Sequence, residues 1–554
     1  MINVIDKKPS TVLIKRRRLN SSLSTTPSLC VGELFMNEQQ NTLFYGTSSY
    51  DGLYNIPVGG SGFFSILNWT QLGLDIDGEA AGDQSGFSVS LNAAGDTVAI
   101  GARYNDGNGT DSGHVRVYKL ISGSWVKQGQ DINGEASFDQ SGFFVSLNAA
   151  GDTVAIGAVY NDGNGTDSGH VRVYKFISGS WVKQGQDLDG EAANDLSGFS
   201  VSLNAAGDTV AIGAPNNAGN GSTSGHVRVY KFISGSWVQQ GLDINGEAAI
   251  DYSGWSVSLN AAGDTVAIGA SNNSGNGTNS GHVRVYKLIS GSWVKQGQDI
   301  DGEAASDLSG VSVSLNAAGD TVAIGASLND GNGNQSGHVR VYKLISGSWV
   351  KQGLDIDGEA AFDSSGFSVS LNAAGDTVAI GAINNAGNGI QPGHVRVYKF
   401  ISGSWVKQGL DIDGEAAFDS SGVSVSLNAA GDTVAIGAYG NDGNGTDSGH
   451  VRVYTINPSY LSKSYDSYLS LNGGTLSGTL NVTNGNILSG GIDIANFFGG
   501  GGTSIDWSNV QNKPPLVQNQ GGVDAIRALT QSQYNQLVST GNIVDTWFYV
   551  ITGN

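Results

Sequence analysis

The sequence predicts an all-β fold, a seven-bladed β-propeller, and three observations lead there. The octapeptide Gly95-Asp96-Thr97-Val98-Ala99-Ile100-Gly101-Ala102 recurs unchanged from Gly151, Gly207, Gly263, Gly319, Gly375 and Gly431, each start 56 residues after the last. Every unit reads as four short strands, with no helical periodicity. The tryptophan of the fourth strand first occurs at Trp69, ahead of the first complete unit, and none follows the last third strand at Tyr454. A fixed period means one supersecondary unit repeated. Seven units of four strands fit a propeller. The displaced tryptophan means that an N-terminal strand completes the last blade, so the ring needs no capping repeats, as an open solenoid would.

The first unit justifies its strands in order. Phe87-Ser88-Val89-Ser90-Leu91 alternates apolar with polar, and Asn92-Ala93-Ala94-Gly95-Asp96 is a turn. Thr97 to Ile100 is the second strand, and the Asn, Asp and Gly between Arg103 and Gly113 form a loop. His114 to Leu120 is the third strand, Ser122-Gly123-Ser124 turns the chain, and Trp125 to Gln128 is the fourth. Alternation bounded by Gly, Asn, Asp and Ser is the strand signal.

Composition narrows the function classes. The 554 residues hold 84 Gly but only 8 Pro, which assigns the glycines to turns rather than to a collagen-like or disordered run. The net charge of −21 argues against binding nucleic acid through its phosphates. Cys30 is the single cysteine, so no intrachain disulfide forms. Met1 to Arg18 lacks the apolar core of a secretory signal, and no apolar run is long enough for insertion into a membrane.

Four segments follow: residues 1–66, the propeller at 67–457, a Gly-rich stretch at 458–520, and a C-terminal helix-then-strand element at 521–554, in which Thr530 is a helix N-cap and Leu529, Tyr534 and Leu537 share a side. The first segment carries Ile14-Lys15-Arg16, Thr26-Pro27, Gly32-Glu33-Leu34, Leu43-Phe44-Tyr45-Gly46 and Ile56-Pro57-Val58-Gly59-Gly60, with a small hairpin expected over residues 32–46. In order and spacing these resemble the N-terminal modules of tailed-phage fibres and other appendage proteins. The run Leu471-Asn472-Gly473-Gly474-Thr475-Leu476-Ser477-Gly478-Thr479-Leu480, the turn Trp507-Ser508-Asn509-Val510-Gln511-Asn512-Lys513-Pro514 and the ending Trp547-Phe548-Tyr549-Val550-Ile551 resemble phage tail-fibre segments as well. The resemblance implies a virion protein, assembled in the host cytoplasm without a signal peptide. It also implies homotrimerisation through the stalk at Leu469 to Ile494 and partners among the tail or baseplate proteins.

The repeats resemble the FG-GAP repeats of integrin-alpha-like propellers. Gly86-Phe87-Ser88-Val89-Ser90, Val98-Ala99-Ile100-Gly101-Ala102, Gly113-His114-Val115-Arg116-Val117-Tyr118 and the third unit's Gly213-Ala214-Pro215 carry the likeness. Many such repeats hold calcium on alternating aspartates between the first and second strands. Here that turn is only Leu91 to Asp96, so the family's calcium site does not carry over. The loop Asp75-Ile76-Asp77-Gly78-Glu79, with Asp83 nearby, is an alternative calcium candidate, set against a plain glycine turn whose acid pairs with Arg116. No cofactor is expected.

All seven histidines occupy one position of the repeat, from His114 to His450, which suits a structural hydrogen-bond partner rather than a metal ligand or a base. The seven fourth-strand tryptophans, from Trp69 to Trp405, read as packing between blades. Arg116 and its equivalents call for an acid such as Glu79 or Asp83. No Ser-His-Asp or Cys-His arrangement stands apart from the repeat, and the unique carboxylates of a glycosidase are missing, so the protein reads as a non-enzyme.

The copies disagree on one face, where the loops from fourth to first strand and from second to third emerge. There the units offer Arg103, Tyr104, Phe138, Tyr160, Ile250, Tyr252, Phe362, Phe418 and Tyr439, aromatic and apolar groups among Asn, Asp and Ser. These residues are the candidate ligand site, with a host cell-surface glycan or protein as partner. A tail fibre or related appendage is the first reading, a free-standing bacterial integrin-like adhesin the second, and a virion enzyme that degrades polysaccharide the third.

Overall fold

The computed structural model describes residues 34–37, 42–46, 53–57, 68–387, 389–456, 525–530 and 547–552. Seven antiparallel sheets occupy residues 69–456 and form the blades of the ring. In the first blade the strands Ser85–Leu91, Thr97–Ala102, His114–Ile121 and Ser124–Lys127 pair in chain order. The fourth strand continues further than its sequence suggests. After a break at residues 128–131 it resumes as Ile132–Asn133, which pairs with His114 and Val115 on the same edge of the third strand.

The last blade shows how the ring closes. Ser424–Leu427, Thr433–Ala438 and His450–Ile456 come from the end of the repeat array, and Trp69–Gln71 with Ile76–Asp77 supply the outer strand from its beginning. Ile456 faces Trp69, Tyr454 faces Gln71 and Val451 faces Ile76. The displaced tryptophan therefore has the place that the repeat arithmetic assigns to it.

The apolar core lies between the blades. The second strand is buried along its whole length because each of its sides meets a different neighbour. Val98 and Ile100 pack on Ala435, Val451 and Val453 of the blade before, whereas Ala99 joins Val145, Leu147, Val154, Ile156 and Trp181 of the blade after. Large side chains on one side and small ones on the other let neighbouring sheets interdigitate, and each fully buried Val or Ile contributes roughly 1.5–3 kcal/mol. At Gly101 the neighbour's backbone comes so close that a Cβ would sit 2.0 Å from the carbonyl oxygen of Gly142. Only glycine fits there.

Polar contacts tie the blades in register. Each fourth-strand tryptophan donates its indole N–H to a main-chain oxygen of the preceding blade, from Trp125 to Leu72 at 2.7 Å through to Trp69, which reaches Gln408 at 2.8 Å across the closure. The Ala93 N–H bonds to the Ala149 oxygen, Ala149 to Ala205, and so on to Ala429, which bonds back to Ala93, a closed circuit of seven main-chain hydrogen bonds. Inside it, the Leu147 N–H donates to Ser90 Oγ, and the equivalent bond recurs in every blade to Leu91 and Ser426.

Outside the ring, Leu34–Asn37, Thr42–Gly46 and Leu53–Pro57 make a three-stranded antiparallel sheet that contains the expected hairpin. Ala525–Thr530 and Trp547–Thr552 pair in parallel. Thr530 ends a strand, and the helix expected after it lies outside the described residues, as does the stalk at Leu469 to Ile494.

Closure by the N-terminal strand has a direct test. A chain lacking residues 1–66 should show the propeller's normal melting transition, whereas one lacking residues 1–77 should melt at least 10 °C lower or lose cooperativity. Trp69→Ala alone should cost about 3–5 kcal/mol. Equal melting of the two truncated chains would refute the closure.

Candidate functional site

Hydrogen bonds sort the loops into two faces. The Phe138 N–H donates to the Thr110 oxygen at 2.7 Å, and Asn108 Nδ2 donates to the Gly134 oxygen at 2.8 Å, so the loop between second and third strands lies against the loop that leads to the next blade. On the opposite face Leu120 N–H bonds to the Asp96 oxygen, joining the other two turns. The assignment of faces expected from the sequence holds.

Beneath the variable face lies a constant frame. Asp83 is buried, accepts from the Ala80 N–H and from Asn105 Nδ2, and so holds the incoming loop to the loop after the second strand. Asn105 Oδ1 in turn accepts from the Gly107 N–H. Asp139 with Asn161 and Asp195 with Asn217 repeat the arrangement. The variable side chains are thus carried on turns that are alike in backbone from blade to blade.

The constancy of the opposite face has a structural cause. Ala93 and its equivalents form the closed circuit of main-chain bonds, and Asn92 Oδ1 accepts from the N–H groups of Asp96 and Thr97. Asn92, which caps the turn, and Gly95, left-handed and against Thr433 of the neighbouring blade, are thus held to their residue types, so the sameness of these positions is not a measure of how far free loops would drift.

The sequence-predicted residues fall into two groups. Phe138, Ile250, Phe362 and Phe418 occupy one position, midway along the loop from outer to inner strand, and are 57–60% exposed. Each has φ of 70–72°, in the left-handed region, where Asn194 at 67° and Ser306 at 70° also lie at the same position, and the first unit has Gly82 there. A left-handed residue other than glycine costs about 1–2 kcal/mol, and a β-branched one such as Ile250 is a true outlier. Tyr252 stands apart, edge-on to Trp255 at 6.2 Å.

The second group gathers at the mouth of the central channel. Arg103 lies 3.6 Å over the Phe87 ring and 4.6 Å from that of Tyr104, and Tyr439 meets Phe87 edge-on at 5.9 Å. Tyr160, 56 residues after Tyr104, takes the equivalent place on the turn of the next blade. Sequence reasoning missed the residues that support them. Phe87, Phe143, Phe199 and Trp255 run ring to ring around the mouth at 5.2, 5.2 and 4.6 Å. Val311, Phe367 and Val423 take the same place in the remaining blades. The disagreement among copies that identified the loop positions is present here too.

The histidines are buried, and burial with the adjacent Arg116 drives the pKa of His114 down to about 4. His170, His226, His282 and His338 are held at about 4 in the same way, and His394 at about 3. They are neutral at physiological pH. The expected hydrogen bond is not made: Nε2 of His170, His226, His282, His338, His394 and His450 has no partner, and His114 Nδ1 stays 3.9 Å from Glu79. The reason is competition, since Arg116 takes Glu79 at 3.1 Å. That ion pair is the one expected, and it recurs from Arg172 with Glu135 to Arg452 with Glu415.

The acids offer metals little. Glu79, His114 and Asp131 bring ligand atoms within 4.8 Å of one another, but Arg116 already neutralises Glu79 and Lys127 neutralises Asp131 at 2.9 Å. A divalent ion would meet positive charge. Asp75 and Asp77 approach each other beside His450, while Glu79 turns away to Arg116. Two carboxylates and an imidazole fall well short of the six to eight oxygens that calcium takes.

Residues 75–118 match the FG-GAP repeat family. The matched stretch runs from the end of one blade to the third strand of the next and is one copy of the unit that the chain repeats seven times. No curated protein matches the sequence. Among solved structures, a protein of Bacteroides uniformis provisionally assigned as a 6-phosphogluconolactonase aligns over 60% of this chain and 86% of its own, with 10% identity and a TM-score of 0.42. A likeness at that level carries no argument about function.

Two measurements check this description. Between about pH 6.5 and 4 the unfolded chain binds protons at its histidines that the folded chain does not, so stability should fall as pH drops through that window. Even one unit of difference per histidine, about 1.4 kcal/mol, would over seven sites approach the ~5–15 kcal/mol that holds a typical domain together. The carboxyls of Asp189, Asp301, Asp357, Asp413, Glu191 and Glu359, raised by burial, act in the opposite sense. A melting temperature flat from pH 7 to 4.5 would contradict it. Chelation at pH 7 should leave the melting temperature unchanged, and a fall of more than a few degrees would show that the loops at Asp75 to Glu79 hold a metal.

Proposed function

We propose that the protein is a non-catalytic adhesion protein whose propeller holds a host-surface glycan on its variable face. The observation that carries this reading is the row of Phe138, Ile250, Phe362 and Phe418, exposed and left-handed on a frame that accepts glycine or asparagine at the same point. Exposed apolar side chains in strained backbone lower stability, and such features cluster where a ligand is clamped. Aromatic rings beside Asn and Ser suit the apolar faces and hydroxyls of sugars. Several weak sites on one disc gain roughly 10²–10⁴ in avidity against a repeated surface ligand.

The setting we propose is a tailed-phage virion, in a tail fibre or related appendage. The support is the set of fibre-like motifs at both ends of the sequence, such as Gly32-Glu33-Leu34 and Asn512-Lys513-Pro514. An adhesin that stands alone has no reason to carry them. The stalk at Leu469 to Ile494 would join three chains, presenting three discs to one surface.

Replacing Phe138, Ile250, Phe362 and Phe418 together with Asn tests the reading. Because Asn tolerates the left-handed region, the melting temperature should hold or rise by a few degrees, while attachment of the protein to host cells should fall more than tenfold. Undiminished attachment would sink the proposal.

A further inference from the structure

Arg103 is unlike every other arginine of the propeller. Each of the seven strand arginines has a glutamate within 3.7 Å, whereas Arg103 pairs with no carboxylate among the described residues. Its Nε and Nη2 both donate to Gln84 Oε1, at 2.9 and 2.8 Å, and its Nη1 makes no hydrogen bond among the described residues. The rings of Phe87 and Tyr104 take up its flat sides, with Phe143 5.6 Å away. Burial holds its pKa below the usual arginine value, the mark of a cation short of compensating charge.

The fold does not require this residue. The same turn carries Val159, Pro215, Ser271, Ser327, Ile383 and Tyr439 in the other blades, and the strands around it are the same. Cation–π contacts contribute about 0.5–2 kcal/mol each, but a guanidinium held in place by them still has donors on its edge to satisfy. Arginine's planar fork matches a carboxylate there.

The surroundings limit what can bring that carboxylate. On the three blades that meet around Arg103, Asp106, Asp111, Asp162, Asp167, Asp442 and Asp447 pair with no cation among the described residues. A polyanion laid across the face would meet them all. A single anionic group delivered at the axis would not. Flat rings flank the open edge, as suits a sugar ring, and an added peptide strand would compete with the serines of the neighbouring blade that already accept from inner-strand N–H groups, Ser424 from Val89 and Ser88 from Val145.

We infer that Arg103, Phe87, Phe143, Tyr104, Tyr160 and Tyr439 form an axial subsite for an acidic sugar, one carboxylate-bearing residue at the end of an otherwise neutral saccharide. The carboxylate meets the Nη1 edge of Arg103, the ring of the sugar lies on the aromatic collar, and the neutral remainder extends toward the loop tips. The subsite rests on the reading of this face as the glycan-binding one and adds the class of sugar and the place where it ends.

The test titrates the full chain by calorimetry with four sugars, glucuronate against glucose and galacturonate against galactose, and with two controls, acetate and N-acetyl-glycylglycine, as carboxylates without a sugar ring. At least one uronate should bind tenfold or more tighter than its neutral partner and than either control. Arg103→Val, which copies Val159, should abolish that difference with little change in melting temperature, and Arg103→Lys should keep part of it. Uronates no tighter than the neutral sugars, an unchanged preference in Arg103→Val, or controls that bind as well as uronates would overturn the inference. Its failure is separable from that of the adhesion reading. If the four Asn substitutions abolish attachment while Arg103→Val leaves both attachment and sugar preference intact, the face binds the host and the acidic subsite is wrong.

Discussion

Seven sheets meet in a ring only if each approaches its neighbours equally closely, and the glycine pair typified by Gly101 and Gly142 sets that approach. A methyl group at Gly101 would collide with a carbonyl oxygen at 2.0 Å, and the same contact recurs from Gly157 with Gly198 to Gly437 with Gly86. The rest of the interface follows from it. Val98 and Ile100 can fill the space on one side because Ala99 and Gly101 leave room on the other, and a core that accepts no extra methyl group is the usual condition of a close-packed interior. The exact repetition of Gly95 to Ala102 is then a packing requirement met seven times.

That constraint divides the two faces. The turns around Ala93 take part in closure through their own backbone, and Asn92 and Gly95 within them are fixed by the cap and by the close approach of the neighbouring blade. The loops on the other side are held by a different device, Asp83 with Asn105, which ties backbone to backbone and leaves the side chains at the tips unused. A frame of this kind permits Phe138, Asn194 or Ile250 at one point without a change of fold. Strain at those tips is local, of order 1–2 kcal/mol apiece, and the interfaces below are large enough to absorb it.

Much of the fold was legible because period and alternation are properties of sequence. Closure could be read from one displaced tryptophan, and the Arg116–Glu79 pair from the need to compensate a charge between blades. The axial collar could not be read in the same way. Phe87 alternates with Val89 and Leu91 and so looks like one more core residue, but the register shifts between Ser85 and Ser88. A bulge there turns the strand and places Phe87 at the channel mouth. The histidines failed for a related reason: sequence shows that His114 recurs with an acid nearby, but not that Arg116, two residues on, reaches that acid first.

Charge completes the account of the variable face. With a net charge of −21 the chain gains nothing from long-range attraction to an anionic surface, and at physiological salt, fields beyond about 8 Å are largely screened. The glycan binding we propose would then rest on short-range contact, which rigid aromatic rings provide and mobile charged side chains do not. Within that setting one unpaired guanidinium carries more selectivity than a basic patch would. In the subsite we propose, repulsion from Asp106, Asp162 and Asp442 would weaken a ligand with charge along its length, while Arg103 would favour one with charge at its tip. The same acidic surroundings that make the disc a poor partner for polyanions make its axis a discriminating one.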